Sequence, residues 1–355
     1  MKKVCIIFGG RSSEHKDSVE SFQNLYNKIK IQKEKLSFNL EAIIYVDLQD
    51  QAYLNDVDFS RHSDEYLSTG KAIDLFATLR VLKEEKYFLF STLFSQNGED
   101  GRMQGLCKLI DIESNLGDPL QSSLCLSKYH LNQYVKGVIT DIKIPLTWRI
   151  DSPDKLESIY EALGGKEVVI KPNALGSSIL TDKIALTREN QEVINKMIAK
   201  ILIHDTYALV QEYIEGEEFT CGVLERAGHV QALPLGRVST NRKFFGFPEK
   251  NDAKLNSKAL VNIDDNMVLK KLVQASLNLF GDLDMKNIAR FDFIVRQGEI
   301  YFLECNQFPS LHQYSFFMLM LGEIGLTIAE VVEIIIQNET LRKYNEPIFD
   351  GYINK

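Results

Sequence analysis

The sequence predicts an α/β protein with two or three domains, and three observations support this prediction. The chain has 355 residues, which is more than one hydrophobic core usually supports. Apolar, strand-like runs alternate with helical stretches in its first part, which is typical of a sheet covered by helices. Hydrophobic residues make up 45% and charged residues 25% of the chain, as in a soluble globular protein.

Charge and cysteine content exclude several classes of protein. A net charge of -8 argues against a nucleic-acid-binding surface, so an anionic ligand would need local lysines, arginines or a metal. The five cysteines are scattered, without a CxxC pair or a preceding signal peptide, which predicts a reducing cytoplasm. No apolar run approaches the ~20 residues that cross a membrane. We therefore expect no nucleic-acid or membrane partner.

Strand and helix signals alternate in the N-terminal part of the chain. Buried strands are expected at Val4–Phe8, Ala42–Val46 and Tyr87–Phe90. A tight turn at Gly9-Gly10 leads from the first strand to a helix over Ser18–Ile31. This alternation predicts a parallel sheet covered by helices.

The middle of the chain contains a candidate phosphate-binding loop. A helix is expected from about Leu124, and the strand Val168–Lys171 precedes the loop Pro172–Ser178, which ends in Gly-Ser-Ser. Backbone amides and two hydroxyls in such a loop can surround an anion, and Lys171 adds a positive charge. The same segment also fits an ordinary hairpin turn, and it is not a Walker A sequence.

Further along, the strand Leu209–Ile214 precedes the acidic segment Glu215–Glu218, whose carboxylates can accept hydrogen bonds from ribose or belong to a solvated turn. The polar stretch Ser239–Ser257 is typical of a mobile loop. Helices are expected at Asp264–Phe280 and Leu326–Ile336. These segments complete the C-terminal part of the chain.

The clearest chemical signal is a predicted hairpin with polar residues at alternate positions of two apolar runs. Arg290 and Asp292 are two residues apart, as are Glu304 and Asn306, so each pair shares one face of its strand. If the two runs pair as an antiparallel hairpin, the polar side chains point toward one spot. Two carboxylates and an amide oxygen suit magnesium, although a solvated polar face gives the same pattern.

Six ordered segments together resemble the D-alanine–D-alanine ligase family of the ATP-grasp superfamily. They are Phe8–His15, Asn97–Leu106, Lys171–Ser178, Ile214–Phe219, Arg290–Asp292 and Glu304–Asn306. Their order along nearly the whole chain is far more specific than any one of them.

The resemblance implies a three-domain ATP-grasp fold. It comprises an N-terminal parallel α/β domain (1–122), a small central α+β domain (123–206) and a C-terminal α+β domain with the metal site (207–355). The implied reaction joins two amino acids through an acyl phosphate and consumes ATP, with Mg²⁺, or Mn²⁺ in its place, as cofactor. The resemblance also implies a homodimer and a role in peptidoglycan synthesis.

The resemblance further assigns roles at the nucleotide end of the site. Lys128 and Lys171 would bind ATP phosphates, Glu218 would hold the ribose, and Arg290 would stabilise the acyl phosphate. The adenine pocket would be formed by Gln211, Glu212, Tyr213 and Ile214, and the metal would be held by Asp292, Glu304 and Asn306. Lys250 fits the lysine of the family's mobile loop. Lys128 alternatively fits an ordinary surface lysine.

At the amino-acid end, the resemblance assigns the ammonium group of the first substrate to Glu14 and joins Ser177 to the same hydrogen-bond network. Ser315 would bind the carboxylate of the second substrate, beside the amide of Phe316, and the Ser310 amide could still donate near the oxyanion. The alternative for Glu14 is a carboxylate that stabilises a helix N-terminus by only ~0.5 kcal/mol.

Several amino-acid-side positions depart from the family pattern. Ser310 replaces a glycine, which could crowd the oxyanion position or require different backbone angles. The other departures are Lys16-Asp17 for Glu-Val, Ile179-Leu180 for Val-Gly, Asn251 for tyrosine and His312 for threonine. Two hypotheses follow: a D-alanine–D-alanine ligase, or a related ligase with another donor or acceptor. A nucleotide-binding homologue without ligase activity is a third hypothesis.

Overall fold

The computed structural model describes residues 1–240 and 256–343. Three sheets follow one another along this part of the chain, each covered by helices. Within these ranges, no helix is both long and apolar enough to span a membrane.

The N-terminal sheet has the strand order β4-β3-β2-β1-β5-β6. Its strands are β1 (Lys2–Gly9), β2 (Phe38–Val46), β3 (Ala52–Asp56), β4 (Lys71–Ile73), β5 (Phe88–Ser91) and β6 (Glu113–Ser114). Its helices are α1 (His15–Gln32), α2 (Leu75–Glu84) and α3 (Arg102–Ile110), with a 3₁₀ turn at Ser63–Leu67. The three expected strands and the first helix are therefore confirmed.

The expectation of a purely parallel sheet is wrong at one edge. Strand β1 pairs in parallel with β2 and β5, but β2–β3 and β3–β4 are antiparallel. The β2–β3 connection is too short for the crossover that parallel strands need. Asp47 stabilises this tight turn by accepting hydrogen bonds from the backbone amides of Gln49 and Gln51.

The central sheet is antiparallel throughout, with the order β7-β10-β8-β9. Its strands are β7 (Thr147–Ile150), β8 (Glu167–Pro172), β9 (Asp182–Ala185) and β10 (Ala208–Glu212), and helices α6 (Glu157–Leu163) and α7 (Gln191–Leu202) follow β7 and β9. A 3₁₀ turn occupies Pro153–Leu156. The expected boundary after residue 206 separates β10 from both of its partners, so we propose that the central domain extends to Glu212.

The C-terminal sheet has the order β14-β13-β11-β15-β16, with β12 paired to β11. Its strands are β11 (Glu217–Arg226), β12 (His229–Ala232), β13 (Gly236–Thr240), β14 (Asn256–Leu260), β15 (Ile288–Arg296) and β16 (Glu299–Asn306). The later helices are α8 (Met267–Asp282), α9 (Phe316–Glu323) and α10 (Ile328–Lys343). The two expected helices correspond to α8 and α10.

The cores do not follow the order of the chain. Helices α4 (Pro119–Leu126) and α5 (Lys128–Val138) precede the central sheet, yet their buried residues share a core with the C-terminal sheet. Another core joins α1 and β1 to α9 and α10. This shared packing brings the start of α1, the start of α5 and the β15–β16 hairpin to the same region of the molecule.

Candidate active site

A cavity of about 610 Å³ is lined by residues of the central and C-terminal sheets, and by residues of α1 and of the loops that follow the N-terminal strands. Every described residue that the sequence analysis assigned to a site lines it: Glu14, Lys128, Lys171, Ser177, Gln211, Glu212, Tyr213, Ile214, Glu218, Arg290, Asp292, Glu304, Asn306, Ser310 and Ser315. The predicted residues Lys250 and Asn251 lie outside the described residues. Residues far apart in sequence thus surround one space.

The predicted polar hairpin is formed by β15 and β16. Their antiparallel register pairs Arg290 with Asn306 and Asp292 with Glu304. Asp292 is buried and accepts hydrogen bonds from Arg290 Nε (3.0 Å) and Nη2 (2.7 Å) and from Asn306 Nδ2 (3.2 Å). The hydroxyl of Thr220, on the neighbouring strand β11, donates a further bond to Asp292.

This donor set fits a hard divalent cation. Asp292, Glu304 and Asn306 supply carboxylate and amide oxygens on paired strands, which are the ligand types of magnesium. In the described part of the chain, no group of three or more His, Cys, Asp or Glu side chains forms a metal cage. A site with two carboxylates suits magnesium, because this ion usually completes its shell with water and substrate phosphates.

Arg290 is held as a cation by its surroundings. Burial alone would lower the pKa of its guanidinium, but the charges of Asp292, Glu304 and Glu218, with the hydrogen bonds to Asp292, raise the pKa above its ordinary value. The bidentate contact with Asp292 also fixes the orientation of the guanidinium plane. Arg290 is therefore a permanent, oriented positive charge in the cavity.

Two lysines near Glu304 add positive charge to the cavity. Lys128, at the start of α5, donates to the Leu175 carbonyl at 2.9 Å and lies 3.6 Å from Glu304 Oε2. Burial lowers the pKa of Lys171 to about 8, with a smaller lowering by Lys128, while Glu304 acts in the opposite direction. The alternative of an ordinary surface lysine is wrong for Lys128, whose side chain is only 12% exposed.

The connection between the central and C-terminal sheets forms another wall. Strand β10 ends at Glu212, and Tyr213, Ile214 and Glu218 follow along the cavity into β11. Gln211 is buried and donates from Nε2 to Thr147 Oγ1 at 2.8 Å. This wall combines apolar surface with a polar strand end, as a planar base and a ribose require.

The opposite end of the cavity is built around the start of α1. Glu14 occupies the N-cap position of α1, yet its side chain makes no capping hydrogen bond. Its Oε1 instead accepts a hydrogen bond from Ser177 Oγ at 2.8 Å. A side chain at Gly176 would displace the Glu14 carboxylate from its present position. Glu14 and Ser177 are therefore joined by a hydrogen bond, and their role toward a substrate stays a prediction.

Sequence reasoning missed two carboxylates at this end of the cavity. Asp17 Oδ2 lies 3.2 Å from Ser177 Oγ, and both Asp17 and Glu99 line the cavity. Burial, and next the charge of Glu14, raise the pKa of Glu99 to about 8. Two signals in the sequence could have found them: Asp17 departs from the family pattern, and Glu99 lies inside the segment Asn97–Leu106 that resembles the family.

Ser310 does not adopt the left-handed backbone conformation that favours glycine. Among the described non-glycine residues, those with positive φ do not include Ser310, and its hydroxyl lies 3.4 Å from Ser21 Oγ on α1. His312 also lines the cavity, and its pKa is lowered, first by burial and then by Lys258. Ser315 is buried and caps α9 by accepting a hydrogen bond from the Met318 amide at 3.2 Å.

Comparison with solved structures identifies the fold. VanG D-Ala:D-Ser ligase from Enterococcus faecalis has a TM-score of 0.77 at 23% identity, covering 95% of this chain and 99% of its own. The D-alanine-D-alanine ligase from Coxiella burnetii has a TM-score of 0.79 at 20% identity, covering all of both chains. The fold is therefore the three-domain ATP-grasp fold, as expected.

Sequence comparison gives the family. The family model described as D-ala D-ala ligase N-terminus matches residues 3–114, and that described as D-ala D-ala ligase C-terminus matches residues 145–337. A D-alanine--D-alanine ligase of Bacteroides fragilis is 26% identical over 342 residues, or 95% of this chain and 99% of the relative. The chain belongs to the D-alanine–D-alanine ligase family of ATP-dependent, ADP-forming carbon–nitrogen ligases.

Proposed function

We propose that this protein joins two amino acids, with the cavity holding ATP at the hairpin end and the first amino acid at the α1 end. The observation that carries the proposal is the placement of Glu14 and Ser177 in the same cavity as Arg290 and the β15–β16 hairpin. An ammonium group bound at Glu14 would leave the carboxylate of the same amino acid free to extend toward the phosphates.

The first chemical step is phosphoryl transfer to that carboxylate. A carboxylate oxygen forms a bond to the γ-phosphorus as the bond from this phosphorus to the β–γ bridging oxygen breaks, which releases ADP. Lys128 and Lys171 line the same cavity, and their positive charges would neutralise phosphate charge. Asp292, Glu304 and Asn306 would hold Mg²⁺, which when bound supplies charge neutralisation on the phosphates and orients them.

In the second step, the amine of the other amino acid attacks the acyl carbon, phosphate leaves, and the attacking nitrogen loses a proton. Negative charge gathers on the acyl oxygen during this step. Arg290 and the backbone amide of Ser310 border the same cavity and are our candidates for stabilising it. We assign the second carboxylate to the region of Ser315 and the Phe316 amide, with Ser315 also capping its helix.

The remaining assignments concern the nucleoside. We propose that Gln211, Glu212, Tyr213 and Ile214 surround the adenine and that Glu218 binds the ribose, because these residues follow one another along one wall of the cavity. A solved structure supports ATP binding in this cavity. A D-alanine--D-alanine ligase from Bacillus anthracis complexed with ATP has a TM-score of 0.71 to this chain. The role of Lys250, the homodimer and the cytoplasmic location stay predictions from the sequence.

Our first choice of substrates is a pair of D-alanine molecules, the substrates in the name of the Bacteroides fragilis relative, which would place the product in peptidoglycan synthesis. A specific observation favours a second candidate, a ligase with a polar first substrate. Asp17 lies at 3.2 Å from Ser177, so two carboxylates share one hydroxyl proton. A substrate with an additional hydrogen-bond donor would satisfy the second carboxylate.

The experiment that tests the proposal is ADP release from ATP and magnesium with a panel of D- and L-amino acids, singly and in pairs, with mass analysis of products. D-alanine alone giving dialanine would support the first candidate. Products that contain only a hydroxy- or amino-substituted amino acid would support the second. ATP binding without ADP release for any pair would contradict ligase activity and identify a nucleotide-binding homologue.

A further inference from the structure

One face of α1 connects two parts of the active-site cavity. Asp17, Ser21 and Asn24 are spaced by four and three residues, which places them on the same side of the helix. Asp17 contacts Ser177, in the loop between β8 and β9. Ser21 and Asn24 instead contact the segment that follows β16.

The contacts of Ser21 and Asn24 converge on one residue, Leu311. The Leu311 amide donates to Ser21 Oγ at 3.0 Å, and Asn24 Nδ2 donates to the Leu311 carbonyl at 2.7 Å. Ser21 is completely buried, and so is the side chain of Leu311, which packs in the core shared by α1 and α10. Leu311 is thus fixed by its amide, its carbonyl and its side chain.

These side-chain hydrogen bonds replace the backbone–backbone hydrogen bonds that a strand would provide. Ser310 and Leu311 belong to neither a helix nor a strand, and neither forms a backbone–backbone hydrogen bond with the described residues. The side chains of α1 therefore satisfy backbone groups that would otherwise lack protein partners. Ser21 Oγ also lies 3.4 Å from Ser310 Oγ, so the hydroxyl that distinguishes this chain from glycine-bearing relatives contacts the same helix.

The Ser310–Leu311 segment lies beside the cavity, so its hydrogen bonds with Ser21 and Asn24 can affect catalysis. Ser310 lines the cavity, and its amide is the proposed donor to the acyl oxygen. Donors of this kind act through placement, and a shift of about 1 Å can lower a rate by as much as about a hundred-fold. Fixing Leu311 restricts the backbone next to Ser310.

We propose that Ser21 and Asn24 are positioning residues of the ligase reaction, which act by holding the Ser310–Leu311 backbone against α1. This inference rests on the proposed function. Neither residue lines the cavity, so neither is expected to touch substrate. Their effect should therefore appear in kcat, with little change in the KM for ATP.

The test compares Ser21→Ala and Asn24→Ala with Ser276→Ala as a matched control. Ser276 is also a completely buried helical serine, but its hydroxyl bonds to the Leu272 carbonyl within α8, away from the cavity. We expect kcat to fall about ten-fold in each α1 variant, with the KM for ATP within about two-fold of wild type. Asn24→Gln, which retains an amide donor, should recover part of the lost kcat.

Amide hydrogen exchange of the peptide containing Leu311 provides a readout that does not need turnover. We expect exchange at this peptide to rise at least about ten-fold in Ser21→Ala and Asn24→Ala and to stay unchanged in Ser276→Ala. Wild-type kcat in both α1 variants would overturn the inference. So would a loss of kcat without faster local exchange, since that result would show that the effect does not act through the Ser310–Leu311 backbone.

The two proposals fail in different ways. If the wild-type protein released no ADP with any amino-acid pair, the proposed function would be wrong, and with it the catalytic part of this inference. The exchange measurement would still decide whether α1 holds the segment. If the wild-type protein is active and the α1 variants retain full kcat, only the positioning role is wrong.

Discussion

The two ends of the cavity are built differently. At the nucleotide end, Arg290, Asp292 and Glu304 project from paired strands, and each carries an ionic contact within the site. At the amino-acid end, Glu14 precedes a helix and Ser177 and Ser310 lie in irregular segments. Three residues that depart from the family pattern, Asp17, Ser310 and His312, line the cavity. A loop or helix end can change its side chains without disturbing a strand register, so substrate choice can change while the activation chemistry is retained.

The largest effect on kcat is expected for Asp292→Asn, at the nucleotide end of the cavity. The change removes a carboxylate from the proposed metal site and the bidentate partner of Arg290. We expect kcat to fall at least about a thousand-fold, together with a higher magnesium requirement. Steady-state ADP release measured across a magnesium titration checks both effects.

Glu304→Gln provides an independent variant of the same site, because Glu304 pairs with Asp292 across the hairpin. It should also raise the magnesium requirement. Unchanged rate and magnesium dependence in both variants would remove this hairpin from the metal site. Circular dichroism of both variants checks that the fold is retained.

A smaller loss, about a hundred-fold in kcat, is expected for Arg290→Ala. The charge that Arg290 stabilises grows in the transition state, so kcat should fall more than ATP affinity does. Arg296→Ala is the matched control: it lies on the same strand but bonds to the Tyr301 hydroxyl and does not line the cavity. A pure loss of ATP affinity in Arg290→Ala, measured by calorimetry, would contradict the assigned role.

The β15–β16 hairpin at the nucleotide end was predictable from the sequence because its information is local. Alternating polar residues in two apolar runs predicted the hairpin, and pairing of the strands then followed from the Arg-Gln-Gly turn. The amino-acid end depends on contacts such as Ser177 with Glu14, more than a hundred and sixty residues apart in the chain. Without the family resemblance, no periodicity would have joined these two residues.

Local reasoning also failed where neighbouring strands reverse direction or change sheet. The antiparallel edge formed by β3 and β4 depends on the short turn after Val46, and the place of β10 depends on pairing with β8 and β7. Glu99 has an ordinary sequence context, and only the fold brings it close enough to Glu14 for the two charges to interact. These features follow from tertiary packing.

At the amino-acid end, Asp17→Val should change the preference between substrates more than it changes kcat. Valine restores the common family residue and removes the carboxylate beside Ser177. If the first substrate has an additional hydrogen-bond donor, the ratio of kcat/KM for D-alanine to that for the polar substrate should rise about ten-fold. Glu20→Val is the control, since it removes a carboxylate from the same helix outside the cavity lining. An equal shift in both variants would assign the effect to net charge.

The smallest predicted effect is a pH dependence that belongs to the nucleotide end. Lys171 has a pKa lowered to about 8, chiefly by burial, so it is mostly protonated near pH 7 and loses its positive charge as the pH rises through about 8. The unprotonated amine attracts phosphate less strongly, so kcat/KM for ATP, which reports the free enzyme, should fall several-fold between about pH 7 and about pH 9. Lys171→Arg keeps its charge over this range and should flatten the profile.

A second group in the cavity titrates in the same range. Burial and the charge of Glu14 raise the pKa of Glu99 to about 8, so Glu99→Gln separates its contribution to the pH profile from that of Lys171. A fall of the same size in Lys171→Arg, absent in Glu99→Gln, would assign the pH dependence to the amino-acid end instead.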